Sequence, residues 1–193
     1  MQTSPLYQRL DFLRESIRNL RSTGSVAPSS RFLCRAIASK LDPEQAKIVV
    51  ELGPGDGVVT RYILDRLRPD ARLFIFEINE VFVNKIHATF DDPRLTVIHD
   101  SAENMGKHFK LLGIQAADYI VSGIPFVMLP ESLARRITVE CRHWLKAGGC
   151  FIQFHYSPLL IHFYRRVFGN VKIEIVALNI PPAIIVSCEK KGH

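Results

Sequence analysis

The sequence predicts an α/β fold: a mostly parallel sheet with helices on both faces, preceded by an N-terminal amphipathic helix. Short β-branched runs alternate with periodic, helix-length segments along most of the 193 residues. That alternation is the pattern of parallel strands joined by right-handed crossovers. The first run, Ile48 to Val50, passes through Glu51 into three glycines spaced by two, Gly53, Gly55 and Gly57. With 47% hydrophobic and 23% charged residues, the length suits one domain with a substantial core.

Taken in order, residues 1–24 come first. Leu6, Leu10, Leu13, Ile17 and Leu20 form a helical stripe, with Arg9 on one flank and Arg14 and Arg21 on the other. Residues 1–40 hold seven cations against Asp11 and Glu15, most of the net charge of +6. Such a helix can lie on anionic lipid with its arginines at the headgroups. It can equally dock on its own core with a solvated basic face, or serve as a basic patch for nucleic acid. Residues 25–193 form the main domain. Around its start, Gly24 to Leu33 reads as a loop and the beginning of a helix, with Ser29 or Ser30 as the N-cap.

Strands are expected at 47–52, 72–77, 95–99, 118–122 and 149–156. The turn Lys146-Ala147-Gly148-Gly149 precedes the fifth. Two more, Val171 to Leu178 and Ala183 to Glu189, flank Asn179-Ile180-Pro181-Pro182. The ligand site is expected at the carboxyl ends of the parallel strands. No 18-residue apolar run crosses a bilayer, and the N-terminus lacks a secretory apolar core. The cysteines (Cys34, Cys141, Cys150, Cys188) include no CxxC pair, which points to reduced thiols and a cytoplasmic setting. Seven histidines without ligand spacing argue against a metal site.

The glycines mark a cofactor loop. Glycine permits unusual dihedrals and close ligand approach, and the helix start beyond presents free N–H groups. Val58 stands where a dinucleotide fingerprint would place its third glycine. Glu77, closing the second strand 22 residues after Gly55, is placed to accept from a ribose diol, with Ile78 beside it. Asp100, Ser101 and Ala102 follow the third strand.

The pattern E-x-G-x-G-x-G resembles motif I of the class I S-adenosylmethionine (SAM) methyltransferases. The resemblance implies a Rossmann-like sheet of seven strands, closed by an antiparallel pair, with SAM as cofactor. It implies that Glu51 receives hydrogen bonds near the methionine ammonium, and that Asp100, Ser101 and Ala102 contact the adenine. Ser29, Ser30 and Phe32 fall in a segment similar to the SAM-contacting helix of the rRNA adenine dimethyltransferases, with Ser30-Arg31-Phe32-Leu33 in place of Gln-Asn-Phe-Leu.

The fourth strand runs into Ser122-Gly123-Ile124-Pro125-Phe126. Adenine N6-methyltransferases carry an Asn or Asp at the position of Gly123, where it accepts from the exocyclic amine. The stretch is similar instead to the bacterial phospholipid N-methyltransferases, as are Phe151-Ile152-Gln153-Phe154 and the loop from Asn179 to Ala183. This resemblance implies methyl transfer to the amine of a membrane phospholipid such as phosphatidylethanolamine, by an enzyme peripheral to the inner face of the membrane. Partners would be an anionic membrane surface and the lipid amine, with no metal. Tyr156 is then the residue to orient the amine. Ser122 can hold the amine or SAM, and His155 is a lesser candidate, because strand alternation points it to the opposite face. Two alternatives stand: an rRNA or nucleic-acid adenine methyltransferase, and a SAM- or lipid-binding module without catalysis.

Overall fold

The structure, a computed structural model, describes residues 30–192; the arm at 1–24 and Ser29 lie outside the described residues. Seven strands form one sheet: β1 (Ile48–Leu52), β2 (Arg72–Phe76), β3 (Leu95–Ile98), β4 (Ala117–Ser122), β5 (Leu145–His155), β6 (Asn170–Val176) and β7 (Ala183–Glu189). Their order is β3-β2-β1-β4-β5-β7-β6. β1 to β5 are mutually parallel, and β7 runs antiparallel to both β5 and β6. This is the expected class I methyltransferase sheet. The order reverses between β1 and β4, so a crevice opens at their carboxyl ends.

The helices are α1 (Arg31–Ala38), α2 (Val58–Arg66), α3 (Glu80–Thr89), α4 (Met105–Leu111), α5 (Glu131–Trp144) and α6 (Ile161–Phe168), with 3-10 turns at Ala102–Asn104 and Phe126–Met128. Alternate strand residues divide between two cores. Val49, Leu73, Ile75, Val121 and Ile152 meet α1, α2 and α3, while Val50, Phe74, Phe76, Ile120 and Phe151 meet α4, α5 and α6. Burial on both faces explains why the strands read as continuous apolar runs. Ser30 caps α1, its Oγ accepting from Leu33 N at 3.2 Å. That satisfies one of the helix's otherwise unpaired donors.

Most strand ends fall within a residue of expectation, and the β5 and β6 boundaries shift further. β3 stops at Ile98, and β6 covers 170–176, leaving Leu178 in the turn. β5 begins at Leu145, so Lys146 to Gly149 lie inside it as an irregularity: Ala117 pairs with Leu145, but Tyr119 pairs with Cys150. Two glycines read as a terminating turn, yet Gly149 is glycine because a Cβ would stand 2.9 Å from Asp118 O.

Asp118 fastens this amino-terminal end of the sheet. Its Oδ2 accepts from Lys47 N at 3.1 Å and Ile48 N at 2.9 Å, and its Oδ1 from Lys146 Nζ at 3.1 Å. Removing the carboxylate takes an acceptor from both backbone donors, and Lys47 N keeps only Gln45 O at 2.9 Å. Asp118→Ala is therefore expected to cost about 2 kcal/mol of stability in urea unfolding, without altering ligand affinity at the far end.

Candidate functional site at the carboxyl ends of the strands

β1 delivers Glu51 into the crevice, fully buried, with Oε2 accepting from Thr60 Oγ1 of α2 at 2.7 Å. Burial pushes its pKa up to about 8, against the hydrogen bond from Thr60 and with a further push from Glu77. A carboxyl so placed gains most from a cationic partner. Gly53, Gly55 and Gly57 all take left-handed φ, at 63°, 60° and 79°, which L side chains rarely adopt. Space is short as well, since a Cβ on Gly57 would stand 2.7 Å from the Phe90 ring.

Glu77 follows β2 and is also buried. Its Oε2 accepts from Gly55 N at 3.3 Å and its Oε1 from Asn79 N at 2.9 Å. Burial raises its pKa, opposed by the backbone donors of Asn79, Gly55 and Ile78. It thus ties the glycine loop to the second strand. Ile78 is half-buried, and its carbonyl bonds the His99 ring at 3.2 Å.

After β3, Asp100 meets three donors: Ser101 N at 2.7 Å, Asn104 Nδ2 at 2.8 Å and His108 Nε2 at 2.7 Å. Burial raises its pKa, but these bonds together outweigh it and hold the carboxyl below its ordinary range. Ser101 caps the following 3-10 turn through Glu103 N, and Ala102 is buried. The three acids and the glycine loop therefore stand at the carboxyl ends of neighbouring strands β1, β2 and β3.

The turn after β4 interlocks with that loop. Gly123 N donates to Leu52 O at 2.8 Å, and a Cβ on Gly123 would stand 2.6 Å from Gly53 O. Gly53 in turn faces Ile124, whose Cγ1 lies 3.0 Å from where a Cβ would be. Ser122 is fully buried, its Oγ accepting from Ile124 N at 3.3 Å.

β5 places the remaining residues on opposite faces. His155 lies on the α6 side, buried, bonded to Tyr164 Oη at 2.9 Å, and burial lowers its pKa to about 4. It is neutral at pH 7 and directed into the core. Tyr156 lies on the α1 side, and its buried hydroxyl has no hydrogen-bond partner among the described residues. Burial raises its pKa, and the Asn179 amide, near but without hydrogen-bond geometry, opposes the rise.

Two residues of this end carry more than their motifs announce. Asn179 Oδ1 accepts from Ser30 N at 3.2 Å, and its Nδ2 donates to Pro181 O at 2.6 Å, joining α1 to the β6–β7 turn. Gln153 Nε2 donates to Ile124 O at 3.1 Å and Phe154 O at 2.9 Å, leaving a buried Oε1 without a donor. A buried polar residue within an apolar strand was the available signal for Gln153. The Asn179 to Ala183 loop is marked by resemblance, but nothing local announces its link to Ser30, 149 positions away.

Ser30 and Phe32 stand at the start of α1 beside this crevice, Phe32 beneath the Arg31 guanidinium at 5.0 Å. SAM fits the residues present. Glu51 offers a buried carboxylate to an ammonium, and Glu77 retains lone pairs for a diol. Among the described residues, no group of three or more His, Cys, Asp or Glu is placed to hold a metal ion.

The family model described as ribosomal RNA adenine dimethylase matches residues 24–108. The ornithine lipid N-methyltransferase of Singulisphaera acidiphila is 31% identical over 179 residues, covering 92% of this chain and 93% of that protein. A solved structure of a putative rRNA-methylase from Clostridium thermocellum has a TM-score of 0.63 at 15% identity, over 86% of this chain and 99% of that one. The magnesium protoporphyrin IX methyltransferase of Synechocystis PCC 6803, with bound SAM, has a TM-score of 0.67 at 10% identity, over 99% of both chains. At such identities the structural matches speak for the fold.

Proposed function

The chain belongs to the class I SAM-dependent methyltransferases, with SAM as methyl donor, and from that premise we propose that it methylates the amine of a membrane lipid. The observation that carries this reading is the position of Gly123. Its Cβ site is filled by Gly53 O, so the turn has no room for the Asn or Asp that holds an adenine amine. An exocyclic adenine amine is a poor nucleophile, its lone pair drawn into the ring, and needs such an acceptor. An alkylamine needs only to be neutral and oriented.

The relative at 31% identity is named for lipid N-methylation, which supports the reading. The adenine dimethylase match ends at residue 108, before the turn at 122–126, and so bears on the donor half alone. Phosphatidylethanolamine is the acceptor we favour, with ornithine lipid the nearest alternative.

When bound, SAM supplies a methyl carbon activated by the sulfonium. The chain's own residues position the acceptor, which can contribute roughly 7–11 kcal/mol. An alkylammonium of pKa about 10.4 is neutral in only about one molecule in 2,500 at pH 7, and a dry pocket shifts that balance toward the free amine. Tyr156 supplies a buried hydroxyl to orient the amine. Gln153 Oε1, on the other face beneath Ile124, is a second acceptor available to an N–H, and Ser122 holds the turn in place. Tyr156→Phe is expected to lower kcat about 10-fold and leave SAM affinity unchanged, as read by steady-state kinetics and calorimetry. An unaltered kcat would remove Tyr156 from the site.

No helix among the described residues is long and apolar enough to cross a membrane. We place the enzyme at the inner membrane face, held peripherally with the help of residues 1–24. Expression in a bacterial host that makes phosphatidylethanolamine but no methylated form tests the function. Mono- to trimethylated lipid by mass spectrometry is expected; an unchanged lipid profile with soluble, SAM-binding protein would contradict it.

A further inference from the structure

Five large apolar side chains stand out in water at one end of the molecule. Ile180 is 83% exposed, Leu159 78%, Leu178 68%, Val127 50% and Phe32 36%. They come from four separate segments: the start of α1, the turn after β4, the loop after β5 and the β6–β7 turn. The topology gathers all four at the carboxyl ends of the strands. Ile184 of β7 pairs with His155, the last residue of β5, and Ala183 pairs with Val176, the last of β6. The β6–β7 turn therefore stands beside the end of β5, and the Asn179–Ser30 hydrogen bond fixes it to α1. Together they edge the crevice that holds Glu51, Ser122 and Tyr156.

Charge in these segments is one-sided. Residues 30–34, 123–130, 156–160 and 177–182 contain no Asp or Glu, while Arg31 is present and exposed, with Arg35 exposed one turn further along α1. The basic residues 1–29 join the described structure here, at Ser30. Proline is frequent in the same segments, at Pro125, Pro130, Pro158, Pro181 and Pro182. Proline has no N–H, so a proline loop carries fewer backbone donors that an apolar medium would leave unpaired. Proline also stiffens a water-facing loop, but exposed apolar tips and a one-sided positive charge gain such a loop nothing. A loop dipped into the headgroup and upper acyl region of an anionic bilayer gains from each of them.

We infer that this rim is the surface on which the enzyme docks to an anionic lipid bilayer, the apolar tips inserting so that the catalytic crevice opens directly onto the headgroups. The inference rests on the lipid reading above, and it names the face that meets the membrane. An amine lipid then reaches Tyr156 by rising a short way from the leaflet, without its acyl chains passing through water.

Depth-dependent quenching tests it. Trp144, the chain's one tryptophan, ends α5 at the opposite end of the sheet and serves as an internal reference. In the full-length Ile180→Trp variant, mixed with vesicles of phosphatidylethanolamine and phosphatidylglycerol, emission from position 180 is expected to shift to the blue. Acyl-brominated lipids are expected to quench it, while Trp144 stays unquenched. The combined Leu159→Ser, Leu178→Ser and Ile180→Ser variant should lose at least 10-fold in kcat/KM on vesicles. It should keep its SAM affinity and its rate on dihexanoyl phosphatidylethanolamine below the micellar concentration.

Methylation of vesicle lipid by the wild type, with position 180 of the Ile180→Trp variant unquenched on the same vesicles, would overturn the rim and leave the function standing; that rim would then face a protein. Quenching at 180 without methylation of any lipid would uphold the rim and sink the proposed function. Equal loss on vesicles and on monomeric lipid would also count against the rim.

Discussion

Replacing Glu51 by Gln is expected to weaken SAM binding by about 100-fold, or about 2.7 kcal/mol, while stabilising the ligand-free protein at pH 8. Both effects have one cause. Glu51 is buried with a single hydroxyl donor, Thr60 Oγ1, and its pKa is pushed from 4.5 to about 8. The folded protein therefore holds a proton that the unfolded chain has released. Between about pH 4.5 and 8 the folded state binds more protons, so stability of the ligand-free form falls as pH rises through that window. Gln removes this slope, which urea titrations at pH 6 and pH 8 would record.

The same proton governs affinity. A carboxyl facing an ammonium must be ionised, so SAM binding should strengthen as pH rises toward about 8. It should weaken again once the ligand's α-amino group, of pKa about 7.7–8.0, loses its charge. Calorimetry should find an affinity maximum near pH 8 in the wild type and no acid limb in Glu51→Gln. A flat wild-type profile between pH 6 and 8 would show that Glu51 does not face the ammonium.

The second large effect is expected at Gly123. Gly123→Asn restores the side chain that adenine enzymes carry, yet it should abolish activity rather than redirect it. The new Cβ would lie 2.6 Å from Gly53 O, a backbone atom that moves only if the glycine loop moves. Overpacking of this kind costs about 3 kcal/mol, and here the displaced element is the cofactor loop. Gly123→Ala should act in the same direction, with at least a 100-fold loss in kcat/KM and measurably weaker SAM binding. If Gly123→Ala keeps its affinity within about twofold, the turn and the loop are not interlocked. Gain of RNA methylation by Gly123→Asn would reverse the choice of acceptor.

Much of this architecture was legible because it is written locally. Each parallel strand is a short apolar run, and the motif acids sit one or two residues beyond the strand or, for Glu51, at its second-to-last position. Glu51, Glu77 and Asp100 could therefore be placed from spacing. The separation of His155 from Tyr156 followed from period-two alternation alone. The remainder depends on contacts distant in sequence. Gly123 is glycine because of Gly53, and Asn179 matters because of Ser30. Lys146 to Gly149 stay within β5 because Asp118 and its carbonyl lie against them. No window of sequence contains both members of any of these pairs. The rim was hidden for the same reason, since its residues come from four segments and only the sheet order brings them to one end.

The most direct test is to incubate the purified full-length chain with methyl-labelled SAM and three acceptors in parallel: phosphatidylethanolamine vesicles, ornithine lipid vesicles and unmodified rRNA. Label is expected in the lipid fraction, recovered as N-methylated headgroup, and none in the RNA. Label in the RNA, or none in either lipid while SAM binding is intact, would contradict the proposed function.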